Sequence, residues 1–418
     1  MPLGIILRPQ THRTHMANFD LIHDLLKPGT SKIVLLVVDG LGGLPRPSDN
    51  KTELEAAQTP NMDRLARQGT LGMTIPLVPG VTPGSGPAHL SLFGYDPIAL
   101  PVGRGVLEAV GVGLEVGPGE VAARGNFCTL DGQGRITDRR AGRIPTEQAA
   151  PIVQRLSAIR LQGASVEVRH VREHRFALVL RGSGLDASLE DTDPQATGVP
   201  PLPVRASDPA AEHTAELVAA WASAAMGLLR QERLANGLTL RGFSTDPSLP
   251  RFPSIFGLRS GCIAVYPMYR GVAALVGMTA VDAGGESPKE EFGAAARVWS
   301  DFDFLFIHLK KPDSRGEDGD FEAKAAAIEE IDRALPFLLD LKPDVLAITG
   351  DHSTPSQMRS HSWHPVPLLL WAPMTARRDS QVSFGEGACA SGGLGSLRAS
   401  DLMPLLLAHA GRLEKYGA

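Results

Sequence analysis

Residues 33–38, Ile-Val-Leu-Leu-Val-Val, are apolar without interruption and rich in β-branched side chains. A short run with no polar alternation predicts a strand covered on both faces, as in a parallel sheet. Residues 304–308 (Phe-Leu-Phe-Ile-His) and 345–349 (Val-Leu-Ala-Ile-Thr) have the same character, and residues 366–371 give a further strand. Between 304–308 and 345–349, Ile328, Ile331, Leu335 and Leu338 recur at helical spacing and predict a helix over 321–340. Thr59-Pro60 predicts a helix start with Thr59 as N-cap and Gly69 just past the end. Strand, helix and strand in succession predict a doubly wound α/β sheet.

Residues 102–255 follow another pattern. They are rich in Gly, Pro and Arg, with shorter strand-like pieces at 122–130 and 175–180 and one clear helix over 210–231. Because both flanks share the α/β pattern, the middle predicts an inserted, smaller α+β domain. The expected division is a core of 32–101 plus 256–418, an insertion over 102–255 and an N-terminal extension over 1–31. Gly261 to Val265, a helix, and Met278 to Val281 are expected to rejoin the core sheet. Residues 1–15 are polar and basic without signal-peptide grammar and are expected to be a tail with no role.

Composition narrows the class. The chain has 418 residues, 43% hydrophobic and 21% charged, with a formal charge of −5. That is ordinary for a globular protein and argues against a general nucleic-acid binder. No apolar run is long enough to span a bilayer. Cys128, Cys262 and Cys389 are scattered and odd in number, which suggests a reducing, cytoplasmic setting without a disulfide framework.

The predicted strands carry chemistry at their carboxyl ends: Asp39, Asp313 and the pair Asp351-His352, with His361 ten residues beyond Asp351. Ligands bind at that edge of open α/β sheets, and carboxylate with imidazole suits one or two divalent ions. Ser85 sits in Thr82-Pro83-Gly84-Ser85-Gly86-Pro87-Ala88-His89. Its flanking glycines let the backbone turn sharply and present the hydroxyl at a helix start, which favours a phosphate. A metal beside it would activate that hydroxyl as a nucleophile.

Several fragments together resemble one family. They are Val38-Asp39-Gly40-Leu41-Gly42-Gly43, Thr59-Pro60-Asn61-Met62-Asp63, Gly84-Ser85 followed by His89 to Pro97, and Gly350-Asp351-His352-Ser353-Thr354-Pro355. Within the insertion they are joined by Asp138-Arg139-Arg140-Ala141-Gly142-Arg143, Glu173-His174-Arg175 and Asp191-Thr192-Asp193-Pro194. This set resembles the archaeal-type, 2,3-bisphosphoglycerate-independent phosphoglycerate mutases of the alkaline phosphatase superfamily, from about Lys32 to about Leu407. The resemblance implies an alkaline-phosphatase-like core and interconversion of 3-phosphoglycerate and 2-phosphoglycerate in glycolysis and gluconeogenesis, through a phosphoserine at Ser85.

It also implies roles. Asp39, Ser85, Asp351 and His352 would surround one metal ion, and Asp313 and His361 would hold the other. Glu317 stands where the superfamily has a third His ligand, with Asp318 and Asp320 as alternatives. That departure favours Mn²⁺ or Mg²⁺ over Zn²⁺ or Co²⁺. Arg139, Arg140, Arg143, Arg175, Arg241 and Arg270 are candidates for the phosphate and carboxylate of a small-molecule substrate. Arg140 and Arg143 would share one face if their stretch turned helically. His89 and His174 are candidates for acid–base work or for structural hydrogen bonding. Two domains closing over the site would keep water from the phosphoserine, with hinges near 101–105 and 249–257.

The alternatives are a phosphatase, another phosphotransferase of the superfamily such as a homoserine kinase, and a non-catalytic metal or anion binder. An ATP-using kinase is disfavoured because no Gly-x-x-x-x-Gly-Lys-[Ser/Thr] loop is present.

Overall fold

The computed structural model describes residues 17–417; the expectation for residues 1–15 lies outside the described residues. The chain builds two sheets. The strands, in chain order, are β1 (Ile33–Val38), β2 (Thr70–Ile75), β3 (Val121–Leu130), β4 (Ile136–Asp138), β5 (Ala164–Arg172), β6 (Arg175–Gly182), β7 (Gly237–Ser244), β8 (Ser260–Ala264), β9 (Thr279–Val281), β10 (Phe304–Leu309), β11 (Val345–Thr349), β12 (Val366–Trp371) and β13 (Gly395–Arg398).

The large sheet runs β13-β2-β12-β11-β1-β10-β8-β9. Its centre is parallel, with β1 between β10 and β11, while β12 lies antiparallel to both its neighbours. β1 is buried along its whole length. Alternate side chains of a strand leave on opposite faces. Ile33, Leu35 and Val37 accordingly pack into one core layer, and Val34, Leu36 and Val38 into the other. The second layer takes Ile328, Ile331, Leu335 and Leu338 from the helix Phe321–Leu339. Covering both faces is what an unbroken apolar strand requires.

β3 to β7 form the smaller sheet, antiparallel throughout. The helices Thr146–Leu156 and Glu212–Leu229 close its core with Ile152, Val153, Val218 and Trp221. β8 and β9 extend the large sheet in parallel, as the sequence pattern suggested. The crossing back to the large core lies earlier than residue 255, because Leu249, Phe252, Ile255 and Phe256 already pack in the large core. One further detail differs from expectation. Thr59 occupies the N-cap of the helix Pro60–Gln68 but makes no side-chain cap bond. The described part of the N-terminal extension is docked: Phe19 meets Tyr95 edge-on at 5.3 Å, and Ile22 is buried in the large core.

Candidate active site

β1, β10 and β11 are adjacent and parallel, so their carboxyl ends deliver Asp39, Lys310 with Asp313, and Asp351 with His352 to one edge. Asp313 rides the first turn of the helix Lys311–Asp318. Gly40 has φ +66°, and a Cβ there would meet the Thr354 hydroxyl at 2.6 Å and the Asp313 backbone at 2.9 Å. Only glycine lets the β1 loop turn that close to the neighbouring loops.

Ser85 opens the helix Ser85–Leu92, and its Oγ lies 3.2 Å from His352 Nε2. His352 Nε2 is 3.1 Å from Asp351 Oδ2 and 3.5 Å from Asp39 Oδ1. On its other side, the Thr354 hydroxyl donates to Asp313 Oδ1 at 2.6 Å and lies 3.0 Å from His352 Nδ1. A hydroxyl that donates to Asp313 must accept from Nδ1–H, which leaves the His352 Nε2 lone pair facing the cluster. His361 repeats the device: its Nδ1 lies 3.1 Å from the Pro83 carbonyl and so donates to it, while Nε2 is 3.6 Å from Asp313 Oδ1.

Asp39, Asp313 and Asp351 are fully buried within this small volume. Lys310 Nζ bridges two of them, at 2.9 Å from Asp39 Oδ2 and 2.5 Å from Asp313 Oδ2. Tyr269 OH donates to the same Asp39 Oδ2 at 2.5 Å, and His308 Nε2 does so at 3.1 Å. Asp39 Oδ1 and Asp351 Oδ2 meet no donor. Burial would raise the Asp39 carboxyl, but Lys310 and His308 outweigh it and hold the group well below its usual range. Burial, with Asp39 and Asp313 nearby, pushes Asp351 well above its usual range. Burial likewise pushes His352 far down, so its ring is neutral.

Buried carboxylates in excess of their counter-charges are costly without a cation. Two orphaned oxygens beside the His352 Nε2 lone pair fit a divalent ion, and the candidate donors gather as Asp39–Asp351–His352 and as Asp313–His352–His361. The structure brings Asp39, Ser85, Asp351 and His352 together, and His352 also stands in the second group. Glu317 is at its margin: Oε1 lies 4.0 Å from His361 Nε2, and the side chain is 57% exposed.

A cleft of about 340 Å³ opens onto Ser85, with Lys310 and His361 in its wall. Of the six expected arginines, Arg143 and Arg175 line it. Arg175 Nη1 donates to Tyr266 OH at 2.7 Å, linking the two sheets across the cleft. The other four are placed elsewhere. Arg139 is spent on Asp193, through Nε at 3.1 Å and Nη2 at 2.8 Å. Arg241 pairs with Asp191 and Asp193. Arg140 is solvent-exposed and does not share a face with Arg143, because Ala141, Gly142 and Arg143 all take positive φ in a short 3₁₀ turn. Asp138 holds that turn by accepting from the Arg140 and Gly142 amides. Arg270 lines a separate hollow with Asp282 and Glu286.

His89 has a structural place. Its Nδ1 donates to the Ser85 carbonyl at 2.7 Å, and burial pushes its pKa down to about 3. His174 is also buried and pushed down to about 3, by burial and then by the surrounding arginines. Lys310, Tyr269, Tyr266, Arg104, Arg172 and Thr354 were not singled out from sequence. Lys310 follows β10 directly, so the strand-end logic that marked Asp313 applies equally to it.

Sheet edge, serine and cluster together define the class: an α/β protein with a serine hydroxyl set beside a carboxylate–imidazole centre suited to divalent metal ions. The family model of 2,3-bisphosphoglycerate-independent phosphoglycerate mutase matches residues 66–235. A probable 2,3-bisphosphoglycerate-independent phosphoglycerate mutase of Thermotoga neapolitana is 50% identical over 399 residues, covering 95% of this chain and 98% of that protein. A protein of the same description from Thermus thermophilus is 49% identical over 404 residues, covering 96% and 99%. Among solved structures, the PH0037 protein of Pyrococcus horikoshii superposes with a TM-score of 0.80 at 30% identity, covering 93% of this chain and all of that one. The cofactor-independent phosphoglycerate mutase of Thermoplasma acidophilum gives a TM-score of 0.69 at 30% identity, covering 91% and 100%. The chain belongs to the 2,3-bisphosphoglycerate-independent phosphoglycerate mutase family.

Proposed function

We propose that this chain interconverts 3-phosphoglycerate and 2-phosphoglycerate without 2,3-bisphosphoglycerate, with Ser85 as the residue that carries the phosphoryl group in transit. The observation that carries the proposal is the Ser85 hydroxyl, 3.2 Å from the unprotonated His352 Nε2 and at the mouth of an arginine-walled cleft. The relatives' names support the same reaction.

Asp39, Asp351 and His352, with Ser85 itself, would hold one divalent ion; Asp313 and His361 would hold a second, with Glu317 able to swing in. Bound there, the ions supply Lewis-acid stabilisation and lower the pKa of the serine hydroxyl. The oxygen-rich donor set favours Mn²⁺ or Mg²⁺.

Ser85 Oγ forms its bond to phosphorus as the bond to the glycerate oxygen breaks. The helix N-terminus at Ser85 favours the phosphoryl charge. Lys310, Arg143 and Arg175 neutralise charge on the phosphate and carboxylate. Glycerate turns within the cleft, and its other hydroxyl takes the phosphoryl group back from Ser85. The Arg175–Tyr266 bond ties the smaller sheet to the larger one and helps to exclude water while the phosphoserine exists.

The test is an enolase-coupled assay with 3-phosphoglycerate, Mn²⁺ or EDTA, and neither 2,3-bisphosphoglycerate nor ATP, with free phosphate followed in parallel. Metal-dependent 2-phosphoglycerate with little phosphate release is expected, and Ser85→Ala should abolish it. Phosphate as the sole product would make water the acceptor and overturn the mutase reading. Full turnover by Ser85→Ala would remove the phosphoserine.

A further inference from the structure

The cleft beside Ser85 is walled mostly by donors, among them Arg104, Arg143, Arg172, Arg175 and Lys310. Such groups hold phosphate and carboxylate oxygens. They do not recognise the remaining feature of phosphoglycerate, a free hydroxyl whose proton needs an acceptor. Four carboxylates also line the cleft: Glu108, Glu173, Glu317 and Asp318. The last two are well exposed, Asp318 also facing Arg315 at 3.4 Å, and Glu173 is partly exposed. The Glu108 side chain is 2% exposed; its Oε1 lies 3.3 Å from Arg124 Nη1, and its Oε2 meets no donor. A buried carboxylate oxygen without a donor is costly until a ligand supplies one.

The position of Glu108 is tightly held. The helix Arg104–Gly111 is wedged between the two sheets. A Cβ on Gly105 would meet the β3 carbonyl of Ala122 at 2.4 Å, and one on Gly111 would meet the Pro267 carbonyl at 2.2 Å. These close approaches fix the helix against both β3 and the helix Pro267–Leu275.

We propose that Glu108 Oε2 accepts a hydrogen bond from whichever hydroxyl of phosphoglycerate does not carry the phosphate, making Glu108 a specificity-determining residue. The proposal rests on the mutase reading above. While Ser85 holds the phosphoryl group, glycerate has two hydroxyls. One bonds Glu108 and the other faces phosphoserine, and exchanging them is the re-orientation the reaction needs.

The test compares two phosphoryl donors in Mn²⁺, 2-phosphoglycerate and 2-phospholactate, which differ only in the free 3-hydroxyl. Single turnovers are quenched in acid, and phosphate on Ser85 is read by intact mass. The wild-type enzyme should be phosphorylated faster by 2-phosphoglycerate, by about tenfold or more, as expected for a hydrogen bond to a charged acceptor. Glu108→Gln keeps an acceptor for Arg124 but turns a donor toward the ligand, and it should bring the ratio close to one. Glu108→Asp keeps the charge, withdraws the oxygen from the cleft and should do the same. A wild-type ratio near one, or a ratio unchanged in folded variants that slow both donors equally, overturns the proposal. Wild-type protein that takes no phosphate from 2-phosphoglycerate overturns the mutase reading itself, and this proposal with it.

Discussion

His352 and His361 lie face to face, their ring centroids 3.5 Å apart and their planes 25° from parallel. Each is pinned through Nδ1, His352 by the Thr354 hydroxyl and His361 by the Pro83 carbonyl, so both Nε2 atoms point into the carboxylate cluster. With Nδ1 so occupied in each ring, Nε2 is the atom each offers to a metal ion.

The Thr354 hydroxyl is the hinge of that arrangement, because it couples His352 to Asp313. Thr354→Val should raise the Mn²⁺ concentration for half-maximal activity by about 10–100-fold, the usual cost of losing such a supporting contact. Turnover at saturating metal should change much less, and Thr354→Ser should restore the affinity. Metal titration of activity and calorimetric binding check this; unchanged affinity in Thr354→Val would sink it.

Metal removal should also destabilise the fold. Of three buried carboxylates, Lys310 pairs with only Asp39 and Asp313, so a cation bound only by the folded state adds stability by mass action. At 100 times its dissociation constant an ion contributes about 2.7 kcal/mol. Thermal unfolding in EDTA should therefore fall several degrees below that in Mn²⁺, and Asp313→Asn should shrink the gap. Identical curves with and without metal would speak against a metal centre.

The arginines separate by partner. Arg175→Met should raise KM for 3-phosphoglycerate by about tenfold or more, since a charge-assisted hydrogen bond is lost in the cleft. Arg139→Met should leave KM within a few-fold and instead lower stability by about 2 kcal/mol, because it strips the fork from the buried Asp193. Steady-state kinetics and urea melts on both variants decide the assignment, and the reverse pattern would refute it.

Glu291 gives the molecule a stability trend with pH. It is buried on the helix Pro288–Arg297 with Oε2 unpartnered. Burial, reinforced by Glu286 and Glu290, pushes its carboxyl from the ordinary 4.5 up to about 9. Its contribution is complete below pH 4.5, where both states are protonated. It is then lost as pH rises toward 9, because the unfolded chain ionises first, at about 1.4 kcal/mol per unit. Glu291→Gln should flatten that slope and gain on the wild type between pH 5.5 and pH 8.5. Urea midpoints at the two pH values read this directly, and equal slopes would rule it out.

The central strands, and the residues delivered from their ends, were legible in the sequence. β1 is six apolar residues in a row, β10 is broken only by His308 and β11 ends in Thr349 after four, and a run of that kind needs a strand covered on both faces. Once they are parallel neighbours, Asp39, Asp313 and Asp351-His352 must meet at one edge, and Ser85 at its helix start joins them. Local pattern decides where each strand ends and which residue follows it.

Tertiary structure alone decided which charged side chains remain for a ligand. Arg139 and Arg143 are four residues apart in one motif, yet the first is locked to Asp193 and the second lines the cleft. Left-handed backbone at Ala141, Gly142 and Arg143 swings them apart. The Lys310–Asp39 contact spans 271 residues, and the Asp39 contacts of Tyr269 and His308 span 230 and 269. A guanidinium or carboxylate takes its partner from whatever packing brings within about 3 Å. That distance is set by the whole fold and leaves no mark in the spacing of residues along the chain.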